Sequence, residues 1–160
     1  MPTNGGPWDS RRSKDREENT VAKRHKYAGA SASISTTLDA GRIAQIAEQA
    51  AKQAETLQVM VRLEESTPGR LVYSARNRVL GGRVEFMTFD ATLKEDKGTR
   101  TVKTRILTYK QKRQRIMGII PLPWQMLAWS NYKKFMHALA GGIKGADAAA
   151  QTNVVELAQA

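Results

Sequence analysis

Residues 121–143, PLPWQMLAWSNYKKFMHALAGGI, constrain this chain more than any other stretch, and they hold two of its three Trp and two of its six Met. On a 3.6-residue period Ala128, Trp129, Tyr132, Phe135, Met136, Leu139 and Ile143 share one side. Ser130, Lys133, Lys134 and His137 take the other, as in a helix with one buried stripe. Pro123 suits the first turn, where its missing N–H costs nothing, and Gly141 and Gly142 suit a left-handed cap at the far end. A helix cannot bury so broad an aromatic stripe alone. It needs a sheet, and the preceding segments read as one.

Residues 31–38, SASISTTL, predict a short strand, and Asp39 a helix N-cap for residues 40–55, where Ile43, Ile46, Ala47, Ala50 and Ala54 form a narrow apolar stripe. Leu57, Val59, Val61 and Leu63 then alternate with polar neighbours, the period of a half-buried strand. Thr67-Pro68-Gly69 predicts a type II turn. In the next strand, 70–79, Leu71, Tyr73 and Ala75 oppose Ser74, Arg76 and Arg78. Gly81-Gly82 reverses the chain. Along residues 83–93 the apolar parity slips from Val84 and Phe86 to Phe89, Ala91 and Leu93, which predicts a β-bulge near Met87-Thr88. Asp96-Lys97-Gly98 predicts a hairpin turn into residues 99–109. KQKRQR (110–115) is too charged for a core, and 116–120 reads as a last strand or a packed connection. The fold class expected is α+β: an antiparallel meander of five or six strands, an early short helix, and a long C-terminal amphipathic helix packed across the sheet. Residues 1–28, with seven Lys and Arg against four carboxylates and no apolar period, read as a basic disordered tail. Residues 29–144 form the domain, and 145–160 an Ala-rich tail or short helix.

A length of 160 residues leaves room for one domain with a core. Hydrophobic content of 41% and a mean hydropathy of −0.50 fit a soluble protein. No apolar run approaches the roughly 20 residues of a membrane span, and no signal-like apolar segment opens the chain. The absence of Cys removes disulfides and thiolate metal sites, and a cytoplasmic location is the expectation.

The order of strand, helix, meander and long last helix resembles the helix-grip fold of the START/Bet v1-like (SRPBCC) superfamily. SISTTLDAGRIAQIAEQA looks like its opening strand and helix, and IPLPWQMLAWSNYKKFMHAL like its closing helix. The resemblance covers roughly residues 30–144. It implies a curved sheet gripping the final helix, with an apolar ligand in a cavity between them. The chain departs from that plan in having one early helix where the superfamily has two, and five or six strands where seven are usual.

Catalytic motifs are scarce. His25 and His137 are far apart in sequence with no ligand-spaced partner, so no metal site and no cofactor is expected. Glu64-Glu65 and Glu95-Asp96 lie at turns, where a solvated role outweighs acid–base work. Residues 141–145 lack the spacing of a phosphate loop. The expectation is that the protein is not an enzyme.

Two surfaces compete for function. Phe86, Phe89, Trp124, Trp129, Tyr132, Phe135 and Met136 are either core or the lining of an apolar pocket. The net charge is +11 and the pI about 10.2, and residues 70–115 carry thirteen Lys and Arg against four carboxylates. Arg76, Arg78, Lys103 and Arg105 fall at alternate positions of strands, and Lys110, Lys112, Arg113 and Arg115 follow, a set that favours an anionic partner. Nucleic acid, another polyanion or a peripheral anionic membrane contact by KQKRQR beside the Trp-rich segment would each fit. Few aromatics interleave with these charges, which is unlike a single-strand platform. The leading expectation is a binding module holding an apolar small ligand or a protein partner between sheet and last helix. An electrostatic nucleic-acid-binding protein is the alternative. Arginines pointing outward on one face would favour the alternative, and paired arginines the module.

Overall fold

A computed structural model describes residues 24–157. Strand β1 (Ser31–Thr36) leads to helix α1 (Ala40–Ala54), capped by Asp39, whose carboxylate accepts from the Arg42 N–H at 2.7 Å. Strands β2 (Val59–Thr67), β3 (Arg70–Asn77), β4 (Glu85–Asp96) and β5 (Thr99–Tyr109) form the antiparallel meander. Two short ladders follow: β6 (Gln111–Lys112) with β9 (Gln125–Met126), and between them β7 (Arg115–Ile116) with β8 (Ile120–Pro121). Helix α2 (Trp129–Ala146) and strand β10 (Gln151–Val155) complete the described chain. The main sheet has the order β10-β1-β5-β4-β3-β2, every pair antiparallel. The α+β class, the six-stranded sheet, the early helix and the long helix across it are as expected.

The stripe of α2 is buried as its period requires. Tyr132, Phe135, Met136, Leu139 and Ile143 are inaccessible to solvent, and they meet Ile43, Ile46, Ala47 and Ala50 of α1 and the inner face of the sheet. Phe135 lies 5.1 Å from the Tyr73 ring and 4.9 Å from Phe89, tilted against both, a geometry that suits aromatic quadrupoles. The buried hydroxyls form a closed chain. The Ala32 N–H donates to Thr104 Oγ1 (2.8 Å), Thr104 lies 3.0 Å from the Tyr132 hydroxyl, and Tyr132 donates to the Ala30 carbonyl (2.9 Å). Burial raises both tyrosine hydroxyls, Tyr73 to about 12 and Tyr132 further.

Several local expectations change. Helix α2 starts at Trp129, so Pro123 precedes it; its cap, Ala128, is left-handed (φ 62°) and offers no side-chain acceptor. Gly141 and Gly142 lie inside the helix and do not end it. A Cβ at Gly142 would come within 2.6 Å of Ile46 Cγ2, so this glycine lets the two helices touch. The 67–70 reversal is present without a left-handed Gly69, whereas Lys97 and Gly98 both have positive φ, as a two-residue primed turn demands. The bulge appears where the parity slips, between Thr88 and Phe89.

The ends also differ. Residues 145–160 are neither tail nor short helix through their described part. Asp147 accepts from Thr36 Oγ1 (2.7 Å) and the Thr37 N–H (3.0 Å), which turns the chain back so that β10 pairs with β1. The sixth strand is therefore β10, and residues 116–120 stand outside the main sheet. The expected tail 1–28 falls mostly outside the described residues. Its last part, from His25 to Ala28, packs onto the domain. Among the described residues no helix is long and apolar enough to cross a membrane.

Candidate functional site: an aromatic cleft at the open end of the sheet

At one end of the sheet the helices no longer cover it, and a cleft of about 1270 Å³ opens there. Its walls come from four segments, each held by local bonds. The first is residues 25–27. His25 Nδ1 accepts from the Tyr27 N–H (3.3 Å), so Nε2 carries the ring proton and donates to the Trp124 carbonyl (3.0 Å). The His25 N–H donates to the Tyr109 hydroxyl at 3.0 Å. Tyr27 then stacks flat on Trp129, with ring centroids 4.2 Å apart and 1° between planes.

The second wall is the turn from α1 to β2. Leu57 falls outside the strand predicted for it and is 92% exposed at the rim. The third is the 78–84 loop, where Asn77 Oδ1 accepts from the Val79 and Leu80 N–H groups. Gly81 and Gly82 adopt φ of 65° and 76°, and Gly82 passes Met60 so closely that a Cβ would lie 2.9 Å from Sδ. This turn pushes Val79 and Leu80 outward beside Phe86. The fourth is residues 123–131, where Trp124 is half exposed, Met126 is buried, and Asn131 donates to the Ala54 carbonyl at 2.8 Å, tying α2 to the end of α1.

Of the seven aromatic and Met residues predicted to line a pocket, Phe86, Trp124 and Trp129 do so. Phe89, Tyr132, Phe135 and Met136 lie in the packed core, so the space between sheet and helix is filled by side chains. His25, Tyr27, Leu57, Val79 and Leu80 were not foreseen. Tyr27 and His25 sit in a charged stretch without period, and Leu57 fits the period of a strand that begins only at Val59.

The predicted cationic platform is mostly neutralised. On the outer sheet face Arg105 and Arg70 enclose the fully buried Asp90 carboxylate, at 3.1 and 2.9 Å. Asp90 in turn raises the Arg105 guanidinium. Arg76 meets both Glu64 (3.0 Å) and Glu85 (3.1 Å), and the Ser74 hydroxyl, together with Arg76, holds Glu64 below the usual carboxylate range. Arg78 lies elsewhere, on Glu55 at 3.0 Å. Lys103, Lys110, Lys112, Arg113 and Arg115 form no ion pair among the described residues. Arg113 covers the Trp124 ring, 5.5 Å from its centroid. Among the described residues no group of three His, Asp or Glu could hold a metal ion.

The chain matches no protein-family model and no curated protein. Among solved structures it is similar to the adenosylmethionine decarboxylase of Aquifex aeolicus VF5, with 12% identity over 85% of this chain and 95% of that one, at a TM-score of 0.38. So distant a likeness carries no activity, substrate or residue role to this chain. It does correct one expectation. The protein was expected not to be an enzyme because familiar catalytic motifs are missing, and the likeness to an enzyme removes that conclusion.

Proposed function

We propose that the domain is a binding module whose end cleft takes an apolar small molecule. The observation that carries this reading is the cleft itself: a concave space of about 1270 Å³ walled by Tyr27, Phe86, Trp124 and Trp129, with Leu57, Val79 and Leu80 left exposed at its mouth. Ligand sites are typically concave and apolar with a few fixed polar groups, and here Asn77, Gln125 and Ser130 supply those. The helix-grip resemblance supports the same reading, with the ligand moved from beneath α2 to the end of the sheet. The pairing of Arg76, Arg78 and Arg105 favours the module over an electrostatic nucleic-acid binder.

Native mass spectrometry of the freshly purified chain tests this directly. An apolar small molecule should copurify, and Leu80→Asp, which places a charge in an exposed wall, should strip it without lowering the melting temperature. A protein that carries nothing, and whose Trp fluorescence does not respond to 1-anilinonaphthalene-8-sulfonate, would overturn the reading. Copurified nucleic acid that survives Leu80→Asp would replace it with the electrostatic alternative.

A further inference from the structure

Residues 111–126 form an arm apart from the sheet. Its base is the β6–β9 ladder at the cleft, and its outer part the β7–β8 ladder, closed by Met117 and Gly118, both with positive φ. The tip is apolar and open to solvent: Met117 is 90% exposed and Ile119 82%, with Ile116 and Ile120 about half exposed. An isolated two-stranded hairpin gains little from its own burial, and four aliphatic side chains at one exposed tip stay in water only at a cost. The stem has the opposite chemistry. Residues 110–128 contain Lys110, Lys112, Arg113 and Arg115 and no carboxylate. Unlike the arginines of the sheet, these cations form no ion pair within the described fold. Trp124 lies behind the tip among these cations, under Arg113, while Arg115 pairs with Pro121 nearer the tip.

We infer that the 111–126 arm docks this protein on the surface of an anionic lipid bilayer, the aliphatic tip entering the acyl boundary while the stem cations contact headgroup phosphates. An apolar end with cations and an indole behind it follows the order of a bilayer interface from acyl chains to headgroups. Nucleic acid would satisfy the cations but leave Met117, Ile119 and Ile120 with no apolar phase to enter. The inference does not depend on the cleft having a ligand, because the tip residues do not line it.

Cosedimentation of the full chain with vesicles tests it. Binding should be strong to phosphatidylserine-containing vesicles, weak to pure phosphatidylcholine, and reduced by salt. Lys110→Ser with Arg115→Ser should weaken it about 25-fold, since each basic side chain near an anionic surface is worth about fivefold. Met117→Ser with Ile119→Ser should reduce it further at high salt, where the apolar contribution remains. Neither pair should alter the melting temperature or 1-anilinonaphthalene-8-sulfonate binding at the cleft, so loss of vesicle binding with an intact cleft separates this inference from the ligand reading. The inference is overturned by no vesicle binding at low salt, or by binding indifferent to both pairs. It is equally overturned if the tip pair instead converts a dimer to a monomer, because a second copy would then be what covers the tip, or if duplex DNA binds where vesicles do not.

Discussion

Two groups of aromatic side chains, close together in this molecule, meet opposite fates. Tyr73, Phe89, Tyr132 and Phe135 close on one another under α2 and lose all contact with solvent. Tyr27, Phe86, Trp124 and Trp129 gather at the end of the same sheet and leave a cleft between them. Residue type does not separate the groups, and both contribute to the 121–143 stretch. The difference is coverage. Phe135 has a strand on one side and α1 beyond its helix, whereas Trp124 lies before α2 begins, at the end of the sheet where β2 starts and β3 stops. An aromatic stripe becomes core only as far as an opposing surface extends.

The largest expected effect lies in the packed group. Phe135→Ala should cost about 3–5 kcal/mol, as for a buried aromatic that leaves a cavity, while Lys134→Ala on the outer side of the helix should cost less than about 0.5 kcal/mol. Equal shifts in urea melts would erase the distinction between the two sides of α2.

The glycines of α2 sharpen the same contrast within two positions. Gly141 has open space around it, so Gly141→Ala should stabilise by about 0.5–1 kcal/mol through helix propensity. Gly142→Ala drives a methyl against the stiff Ile46 side chain, and crowding of about 1–3 kcal/mol should outweigh that gain. Thermal melts that move the same way for both would mean that α1 and α2 are less closely seated.

Away from both aromatic groups, the β1–β10 edge is held by charge. The Thr36 hydroxyl, then the Thr37 N–H, keep Asp147 below the usual carboxylate range. Its folded pKa is depressed, so its contribution is complete above the unfolded value of about 3.9 and disappears as pH falls through the folded one. Asp147→Asn should therefore be less stable than the parent at neutral pH and converge with it in acid. Denaturant midpoints measured at both ends of that range check this; a constant difference would separate Asp147 from the acid dependence.

The smallest stability change belongs to the cleft. Trp124→Ala should stay within about 0.5 kcal/mol of the parent, because the ring is half exposed and supports little besides Arg113. Its effect should appear in the binding of an apolar probe. A drop in stability as large as that of Phe135→Ala would make the cleft an extension of the core.

Periodicity alone determined much of this protein. The 3.6-residue stripe of α2, the alternation of Leu71, Tyr73 and Ala75, the Asp39 cap and the parity slip near Met87 are local patterns, and each corresponds to what the chain does. Tertiary structure decided what needs a distant partner. Residues 151–155 became a strand because Asp147 found Thr36 and Thr37, more than a hundred residues earlier. Arg76 and Arg105 are paired because strand register set Glu64, Glu85 and Asp90 beside them, whereas Lys110 and Arg115, in a stretch without carboxylates, form no ion pair among the described residues. The cleft belongs to this second kind. His25 and Trp124 are separated by 99 residues, and no local pattern could place the one against the carbonyl of the other.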